Sequence, residues 1–482
     1  MSFWDNVFTI VFGSRRAPQR PAPPPTRPQP PRPAPPSNTT PSQPAPAPPI
    51  PPPAPQPPPG PIAQPEPAPP PAPGPRPDTP PQPTPGPTTM IALGCVDAAV
   101  SDDQCTAYLA EVERTTRLQL SAVPDKLDKV RLSRMPPADG AMTVAQLQQA
   151  LTRIGFFPGG RADGICGYRT QSAIRLFQEY VRTMENVQGF VPDGRYGPQT
   201  HEHLQRWLAS GQQPDWRQRP GEYDSWLGFL ERVKTARAAN PGPLVEKANA
   251  FAGSSDTRKI ADWDFTGPGN IHLIGLRRSE FTNKSDDIFV LLMKGLVFKF
   301  QGSTDPGRSN HAQGAPYIVP GQHDYHFGWH QSKYLALRPL SNGVLIVRSG
   351  ADGRLDAADM SKELRPNATI NIHWGGRGLA GNVNSWSEGC QVITGSVYIN
   401  PAGELVNCTA FAAVTPDEPM EQVAKTRGAY NVLRDVVTAL SGDMQNGNRV
   451  KYTLLEESDL AQSPEIQQSL TDARARVVDF AT

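Results

Sequence analysis

The sequence predicts a multidomain protein with a disordered proline-rich N-terminal tail, a small all-α three-helix domain and a mostly-β (α+β) C-terminal domain. Most of the 57 prolines among the 482 residues stand in one N-terminal block. Two copies of the pattern D-G-x-x-G-x-x-T, near the middle of the chain, each lead into helical spacing. From residue 271 onwards, short apolar runs separated by glycine, proline and aspartate indicate strands.

The composition limits the classes of partner and the redox chemistry. A net charge of +1 gives no field that would attract nucleic acid, so we expect no nucleic-acid partner. Five cysteines in so long a chain are not a disulfide framework, although Cys95 and Cys105 are close enough in sequence to pair. The predicted segments are 1–16 (aromatic docking or anchor peptide), 17–89 (proline-rich disordered linker), 90–140 (helical connector), 141–210 (three-helix domain), 211–270 (linker helix) and 271–482 (β domain).

The N-terminal peptide is apolar and aromatic and is followed by Arg15 and Arg16. A secretory signal peptide has the opposite order of charge and apolar run, and this run is too short to span a bilayer. The proline-rich segment behind it favours an extended polyproline II spacer without a core. We expect the two together to dock a secretion or phage-particle partner; a terminus without a role and a plain linker are the alternatives.

The three-helix domain is predicted from periodicity and from its repeats. Leu147, Leu151 and Ile154 recur at helical spacing, and the two repeats are Asp163–Thr170 and Asp193–Thr200. Each repeat reads as a glycine turn followed by a threonine near a helix start. This segment resembles the three-helix peptidoglycan-binding module that is often fused to cell-wall enzymes. The resemblance implies that it binds the wall polymer, with Asp163, Tyr168 and Tyr196 as substrate-binding candidates; a helical spacer is the alternative.

The β domain carries the candidate for chemistry. His373 lies in the apolar segment 369–374, and thirteen residues separate it from the run Ser387-Glu388-Gly389-Cys390. A thiol is a nucleophile only as thiolate, so a reactive cysteine needs a neighbouring imidazole. Glycine before the cysteine allows a tight turn whose amide groups can hold an oxyanion. Cys408 has no such neighbours, and we expect it in the core.

These residues resemble the signature of the YkuD-like L,D-transpeptidase catalytic domain, in its phage and secreted branch. Further motifs precede the cysteine in the order of that branch: 303–307, 320–322, 328–330, 370–373 and 386–392. The resemblance implies a sandwich or barrel fold and a Cys390 thioester with the stem peptides of peptidoglycan, without a cofactor. It implies a catalytic role for His373, Ser387 and Gly389 beside Cys390, and a substrate-binding role for His330, Arg377 and Trp386. Glu388 and Val392 depart from the family, which has histidine and arginine there, so substrate carboxylate binding must come from elsewhere.

Two other functions remain open at this point. His323, His326 and His330 could bind zinc in a peptidase, although the glycines around them break the helix that such a motif requires, and we expect His323 and His326 at the surface. A wall-binding structural component without activity is the second alternative. The enzyme hypothesis is transpeptidation, carboxypeptidase or endopeptidase cleavage by a secreted toxin or phage-associated protein. Such a protein would be delivered to the periplasm or cell wall without a conventional signal peptide.

Overall fold

A computed structural model describes residues 90–116, 132–136, 141–156, 161–215, 221–266, 270–307, 314–330, 334–376, 378–379, 382–383, 387–409, 427–440 and 449–481. The predictions for residues 1–16 and 17–89, and those for Arg377 and Trp386, lie outside the described residues. Within these ranges, no helix combines the length and the apolar character that crossing a membrane requires.

The described chain contains a helical region followed by a mostly-β region. The helices are α1 (Asp102–Thr116), α2 (Val144–Arg153), α3 (Tyr168–Met184), α4 (Pro198–Ser210), α5 (Glu222–Ala239), α6 (Gly242–Ala250), α7 (Gly428–Leu440) and α8 (Pro464–Ala481). The strands are β1 (Cys95–Val96), β2 (Ser133–Arg134), β3 (His272–Arg277), β4 (Asp287–Met293), β5 (Leu296–Ser303), β6 (Pro316–Ile318), β7 (Gly321–His330), β8 (Tyr334–Pro339), β9 (Val344–Arg348), β10 (Arg365–Asn367), β11 (Ile372–Trp374), β12 (Gln391–Ile399), β13 (Leu405–Asn407) and β14 (Val450–Glu456).

Three helices, α2, α3 and α4, form the core of the helical region. Thr143 caps α2 in a reciprocal capping box with Gln146, which satisfies two backbone donors at the helix start. Four aromatic rings fill the centre with edge-to-face contacts at 5.3–5.4 Å between centroids: Phe156, Phe177, Tyr180 and Trp207. This cluster holds the three helices together.

The segment before α1 is part of this helical region rather than a separate connector. Ile91 exchanges backbone hydrogen bonds with Tyr196, and Val96 pairs with Ile165. It therefore runs along the turns of both repeats. All five cysteines are free thiols, so the pairing of Cys95 with Cys105 that their spacing allowed is not formed.

The main sheet closes on itself. Its strand order is β11-β8-β7-β14-β3-β4-β5-β12, β11 pairs in turn with β12, and β13 extends the outer edge of β12. The closed sheet decides between the sandwich and the barrel that the sequence left open. Two pairs are parallel, β14 with β3 and β11 with β12, and the other pairs in the ring are antiparallel. A separate three-stranded sheet has the order β10-β9-β6.

The two faces of the closed sheet pack in different ways. Side chains alternate along a strand, so Phe289 and Leu291 of β4 belong to one hydrophobic cluster and Val290 and Leu292 to another. The second cluster covers the outside of β3 and β4 with α5 and α8. The segment predicted as one linker helix forms two helices, α5 and α6, and α5 contributes Trp226 to this cluster.

The helical region packs directly against the β region through α3 and α7. Arg175 of α3 forms an ion pair with Asp435 of α7 at 2.7 Å, and both side chains are only 1% exposed. Arg434 binds the same carboxylate. Burial of a paired charge is tolerated only when its hydrogen bonds are satisfied, and this triad meets that condition. The contact fixes the helical region to the sheet.

Candidate functional site

The strand register brings Cys390 and His373 to one face of the sheet. His373 lies opposite Val392 in the parallel pair of β11 and β12, and the amide of Gln391 donates to the carbonyl of Asn371 at 2.8 Å. Cys390 therefore stands beside Asn371, two positions before the partner of His373. The corresponding offset is about 6.5 Å along the strand and about 4.8 Å across it, which is within side-chain reach.

The opposite face at this point is closed. Gln391, between Cys390 and Val392, points away from them and accepts a hydrogen bond from the hydroxyl of Tyr452. Because the side-chain period of a strand is two, this contact fixes which residues face the candidate site. Asn371 shares the face of His373 for the same reason.

His373 is held as a neutral base. Its Nδ1 lies 2.8 Å from the carbonyl oxygen of Trp374, which can only accept, so Nδ1 carries the proton and Nε2 is the basic nitrogen. The hydroxyl of Tyr334 lies 3.2 Å from the same nitrogen, and the ring of His330 stacks on the imidazole at 4.3 Å. Burial lowers the pKa of His373 to about 4, against the opposing effect of the hydrogen bond to Trp374.

Cys390 is a neutral thiol in this environment. Its Sγ lies 3.3 Å from the amide nitrogen of Asn371, which donates to it, and 3.5 Å from the carbonyl oxygen of Thr369. Burial raises the pKa of Cys390 to about 11, and the charge of Glu388 acts in the same direction. The amide of Asn371 and the charge of Arg338 lower this pKa. The sequence pattern did not draw attention to Arg338, because only the pairing of β8 with β11 brings it to this site.

Ser387 supports the turn at the cysteine rather than the imidazole. Its hydroxyl donates to the carbonyl of Cys390 and accepts from the amide of Gly389 at 3.2 Å. Gly389 has a φ of +144°, and a Cβ there would lie 2.4 Å from Cγ of Pro316. The turn therefore requires glycine. Because the Gly389 amide is engaged by Ser387, the expectation that it holds an oxyanion does not fit this geometry, and the amide of Cys390 is the remaining donor.

The motif at 303–307 supports the same turn from behind. The amide of Gly307 donates to the carbonyl of Ser387 at 2.8 Å. Arg277 lies under this motif, with Nη2 donating to the carbonyl of Thr304 at 3.1 Å and Nε 3.0 Å from the carboxylate of Asp305. This ion pair is almost entirely buried. Residues 303–307 are therefore connected to the cysteine turn through the backbone.

A second carboxylate completes this buried cluster. Asp287 accepts from both the amide and the hydroxyl of Thr304, each at 2.7 Å. Burial, together with the neighbouring Asp305, raises the pKa of Asp287 to about 7. Arg277 also donates to the carbonyl of Ile318 in β6 at 3.0 Å. The cluster thus joins β3, β4 and β6 beneath the turn.

His330 reaches the site through Asn371. The amide nitrogen Nδ2 of Asn371 donates to Nδ1 of His330 at 2.8 Å, and Asn371 is 6% exposed. Its other side-chain atom, Oδ1, is buried and has no hydrogen-bond partner among the described residues. An unsatisfied buried acceptor is costly unless a ligand or water satisfies it. Asn371 had no assigned role in the sequence analysis, and its position two residues before His373 was the available signal.

The three histidines that were considered as zinc ligands do not point to a common site. Both ring nitrogens of His323 are 3.0 Å from protein partners, Thr257 Oγ1 and the carbonyl of Val319. Strand alternation places His323 on the opposite face of β7 from His326 and His330. The expectation that His323 and His326 lie at the surface is wrong, because they are 0% and 8% exposed. Within the described ranges, no group of three or more histidine, cysteine or acidic side chains is arranged to hold a metal.

In the helical region, the repeats form the same internal network twice. Gln148 donates to the Asp163 carboxylate, the Ile165 carbonyl and the Thr170 hydroxyl, and accepts from the amide of Gly164.

Gln178 makes the equivalent four contacts with Asp193, Arg195, Thr200 and Gly194. The glutamines stand fifteen residues before each aspartate. The aspartate of each repeat is therefore part of the fold.

The two tyrosines predicted to bind substrate are buried. Tyr168 is 4% exposed and Tyr196 is 0% exposed, so neither ring offers a face to a polymer. The hydroxyl of Tyr196 instead contacts Nδ1 of His201 on α4. Tyr196 can therefore influence a surface contact only through His201.

Comparison with known proteins identifies the helical region alone. Residues 142–204 match the family model of a peptidoglycan binding domain. No curated protein and no solved structure matches the chain. The match supports peptidoglycan as a partner and association with the cell wall.

Proposed function

We propose that this protein is a peptidoglycan-targeted cysteine enzyme that acts on stem peptides. The observation that supports this most strongly is the shared face of β11 and β12. On this face a half-buried thiol, a neutral imidazole with Nε2 free of its proton and an amide acceptor without a partner among the described residues stand within two strand positions of one another. The peptidoglycan-binding match supplies the substrate class.

In the proposed reaction, Nε2 of His373 takes the thiol proton as Sγ of Cys390 attacks the carbonyl carbon of a peptide bond. The amide of Cys390 donates to the oxyanion that forms. When the tetrahedral intermediate collapses, the carbon–nitrogen bond breaks and the imidazolium protonates the leaving amine. An amine or water then attacks the thioester, giving a new peptide bond or a free carboxylate, and the thiol regains its proton.

The pKa values favour base catalysis at the moment of attack over a preformed thiolate. The pKa of His373 is lowered to about 4 and that of Cys390 is raised to about 11, so both groups are neutral at pH 7. An imidazole with this pKa stays an acceptor in mild acid. We therefore expect the acidic limb of kcat/KM near pH 4, below the ordinary histidine value of about 6.5.

Arg338 supplies the positive charge that the residue at position 392 does not. Its charge acts on the Cys390 thiol, and it stands opposite His326 on the strand that separates β7 from β11. We propose that it receives a substrate carboxylate, while Oδ1 of Asn371 accepts from a substrate amide. The role of Arg338 is specific to peptide substrates with a charged terminus or side chain, whereas Asn371 can accept from any peptide N–H.

The experiment is incubation of the purified full chain with peptidoglycan that contains diaminopimelate, followed by mass spectrometry of the products. We expect cleaved or rejoined stem peptides that disappear in Cys390→Ala and persist with a chelator. Cys408→Ala is the matched control, because Cys408 is a buried core thiol and its loss should leave the products unchanged. Activity that survives Cys390→Ala would exclude the thiol mechanism.

The role of Arg338 can be tested with two peptide substrates that differ only in whether the terminal carboxylate is free or amidated. Arg338→Gln should raise KM at least tenfold for a peptide with a free terminal carboxylate, and should have little effect on the amidated peptide. Equal effects on both substrates would contradict carboxylate binding.

The second candidate is a wall-binding component without activity, delivered by the N-terminal segments to the periplasm or cell wall. The raised pKa of Cys390 beside Glu388 favours it. Binding to peptidoglycan without any new product from the wild-type chain would select this function over the enzyme. A secreted toxin and a phage-associated wall enzyme remain the two delivery routes that we propose for an active protein.

A further inference from the structure

A cleft of about 650 Å³, lined by polar and apolar side chains in similar measure, runs between α2 and α4 of the helical region. We propose that this cleft is the surface that binds peptidoglycan, with the glycan strand and its attached peptide lying along the two helices. The proposal rests on the peptidoglycan-binding match of residues 142–204 and is independent of any reaction at Cys390.

Each wall of the cleft is formed by side chains on one face of a helix. Gln146, Gln149 and Arg153 follow one another by three or four residues on α2 and are exposed. His201, Gln205 and Leu208 do the same on α4. Side chains at this spacing share one face of a helix, so the two walls face each other across the cleft.

The remaining helix of the matched segment, α3, and the turns of both repeats are already used. Thirteen of the seventeen residues of α3 are buried, and the helix is fixed to α7 by the ion pair of Arg175 with Asp435. The turns of both repeats are occupied by the networks of Gln148 and Gln178. This leaves α2 and α4 as the helices of the matched segment that present their polar side chains to solvent.

The chemistry of the lining suits an N-acetylated sugar polymer that carries acidic peptides. The amides of Gln149 and Gln205 can both donate to and accept from sugar hydroxyl and acetamido groups. Arg153 offers a charge-assisted hydrogen bond to a peptide carboxylate. Leu208 supplies apolar contact for a sugar face or a methyl group. Tyr196 holds His201 at the cleft from beneath, which gives this buried residue an indirect role.

The test is cosedimentation of the full chain with insoluble peptidoglycan sacculi, in a Cys390→Ala background that prevents turnover. We expect the combined variant Gln149→Ala, Arg153→Ala and Gln205→Ala to weaken binding at least tenfold. Gln199→Ala is the matched control, because Gln199 is exposed on the opposite face of α4, and it should bind as the parent does. Circular dichroism and thermal melting establish that each variant is folded.

Binding of the triple variant that equals the parent's would overturn the proposal, as would a parent chain that does not sediment with sacculi. Failure of the enzyme proposal would give a different result. The chain with Cys390 intact would sediment normally with sacculi, and the stem peptides would be unchanged. The two proposals can therefore fail separately.

Discussion

The helical region and the face of the sheet around Cys390 use their signature residues in opposite ways. In the helical region, Asp163, Gly164 and Thr170 of the first repeat are all bound by Gln148, and the second repeat does the same with Gln178. At the sheet, the side-chain oxygen of Asn371 has no hydrogen-bond partner among the described residues. A motif whose hydrogen bonds are satisfied internally stabilises the fold, whereas one with unused bonding capacity is suited to a ligand.

The largest expected effect on stability tests the helical region, where the hydrogen bonds of the repeat residues are satisfied internally. Gln148→Leu removes the partner of the buried Gly164 amide and Ile165 carbonyl, so we expect a loss of about 3 kcal/mol in the free energy of unfolding. Gln178→Leu should cost a similar amount because it makes the equivalent contacts. Urea unfolding followed by tryptophan fluorescence measures both.

Gln149→Leu serves as the control for helix α2, because Gln149 is exposed, and it should change stability by less than about 0.5 kcal/mol. A loss below about 1 kcal/mol for Gln148→Leu would mean that water replaces the glutamine. The repeat would then be a weaker structural motif than its contacts imply.

Much of each region could be predicted from local patterns. The apolar runs at 287–293 and 450–455 predicted strands, and the D-G-x-x-G-x-x-T repeats predicted turns before helices, because both signals depend on neighbours in sequence. The turn at Gly389 was predictable for the same reason. His373 was expected on a strand and lies in β11. Residues 142–204 match the family model of a peptidoglycan binding domain, which supports the peptidoglycan-binding prediction for the helical region.

The remaining features depend on contacts between distant segments. Closure of the sheet requires β14, near the end of the chain, to lie between β3 and β7, and alternation alone does not choose a partner strand. The ion pair of Arg175 with Asp435 joins residues 260 positions apart. Arg338 and Asn371 acquire their places beside Cys390 only through the register of β8, β11 and β12. No local pattern carries that register.

A smaller effect is expected at the junction of the two regions, where one oxygen of a buried carboxylate is hydrogen-bonded and the other has no partner among the described residues. Glu179 of α3 accepts from the hydroxyl of Tyr398, and burial raises its pKa to about 7. A folded-state pKa above the unfolded value contributes stability that is present below about pH 4.5 and is lost as the pH rises through 7. Glu179→Gln should remove this loss, on the order of 2 kcal/mol between pH 5 and 8.

Glu404 at the same junction gives a control of opposite sign. Its hydrogen bond with Arg182 lowers its pKa, so its contribution is present at neutral pH and is lost in acid. Melting temperatures should therefore shift in favour of Glu179→Gln between pH 5 and pH 8, whereas the deficit of Glu404→Gln should shrink only as the pH falls below about 4.5. Parallel pH profiles for the wild type and Glu179→Gln would show that Glu179 is not the titrating group.

The smallest expected effect on stability tests the face of the sheet around Cys390, where Asn371 has unused bonding capacity. Asn371→Leu removes one hydrogen bond, to His330, and also removes a buried acceptor that has no partner among the described residues. Because the two changes oppose each other, the free energy of unfolding should change by less than about 1 kcal/mol. The amide that donates to Cys390 belongs to the backbone and is retained. Formation of stem-peptide products, in contrast, should fall at least tenfold. A loss of stability as large as that of Gln148→Leu would place Asn371 among the residues that hold the fold together, and the difference between the two regions would then disappear.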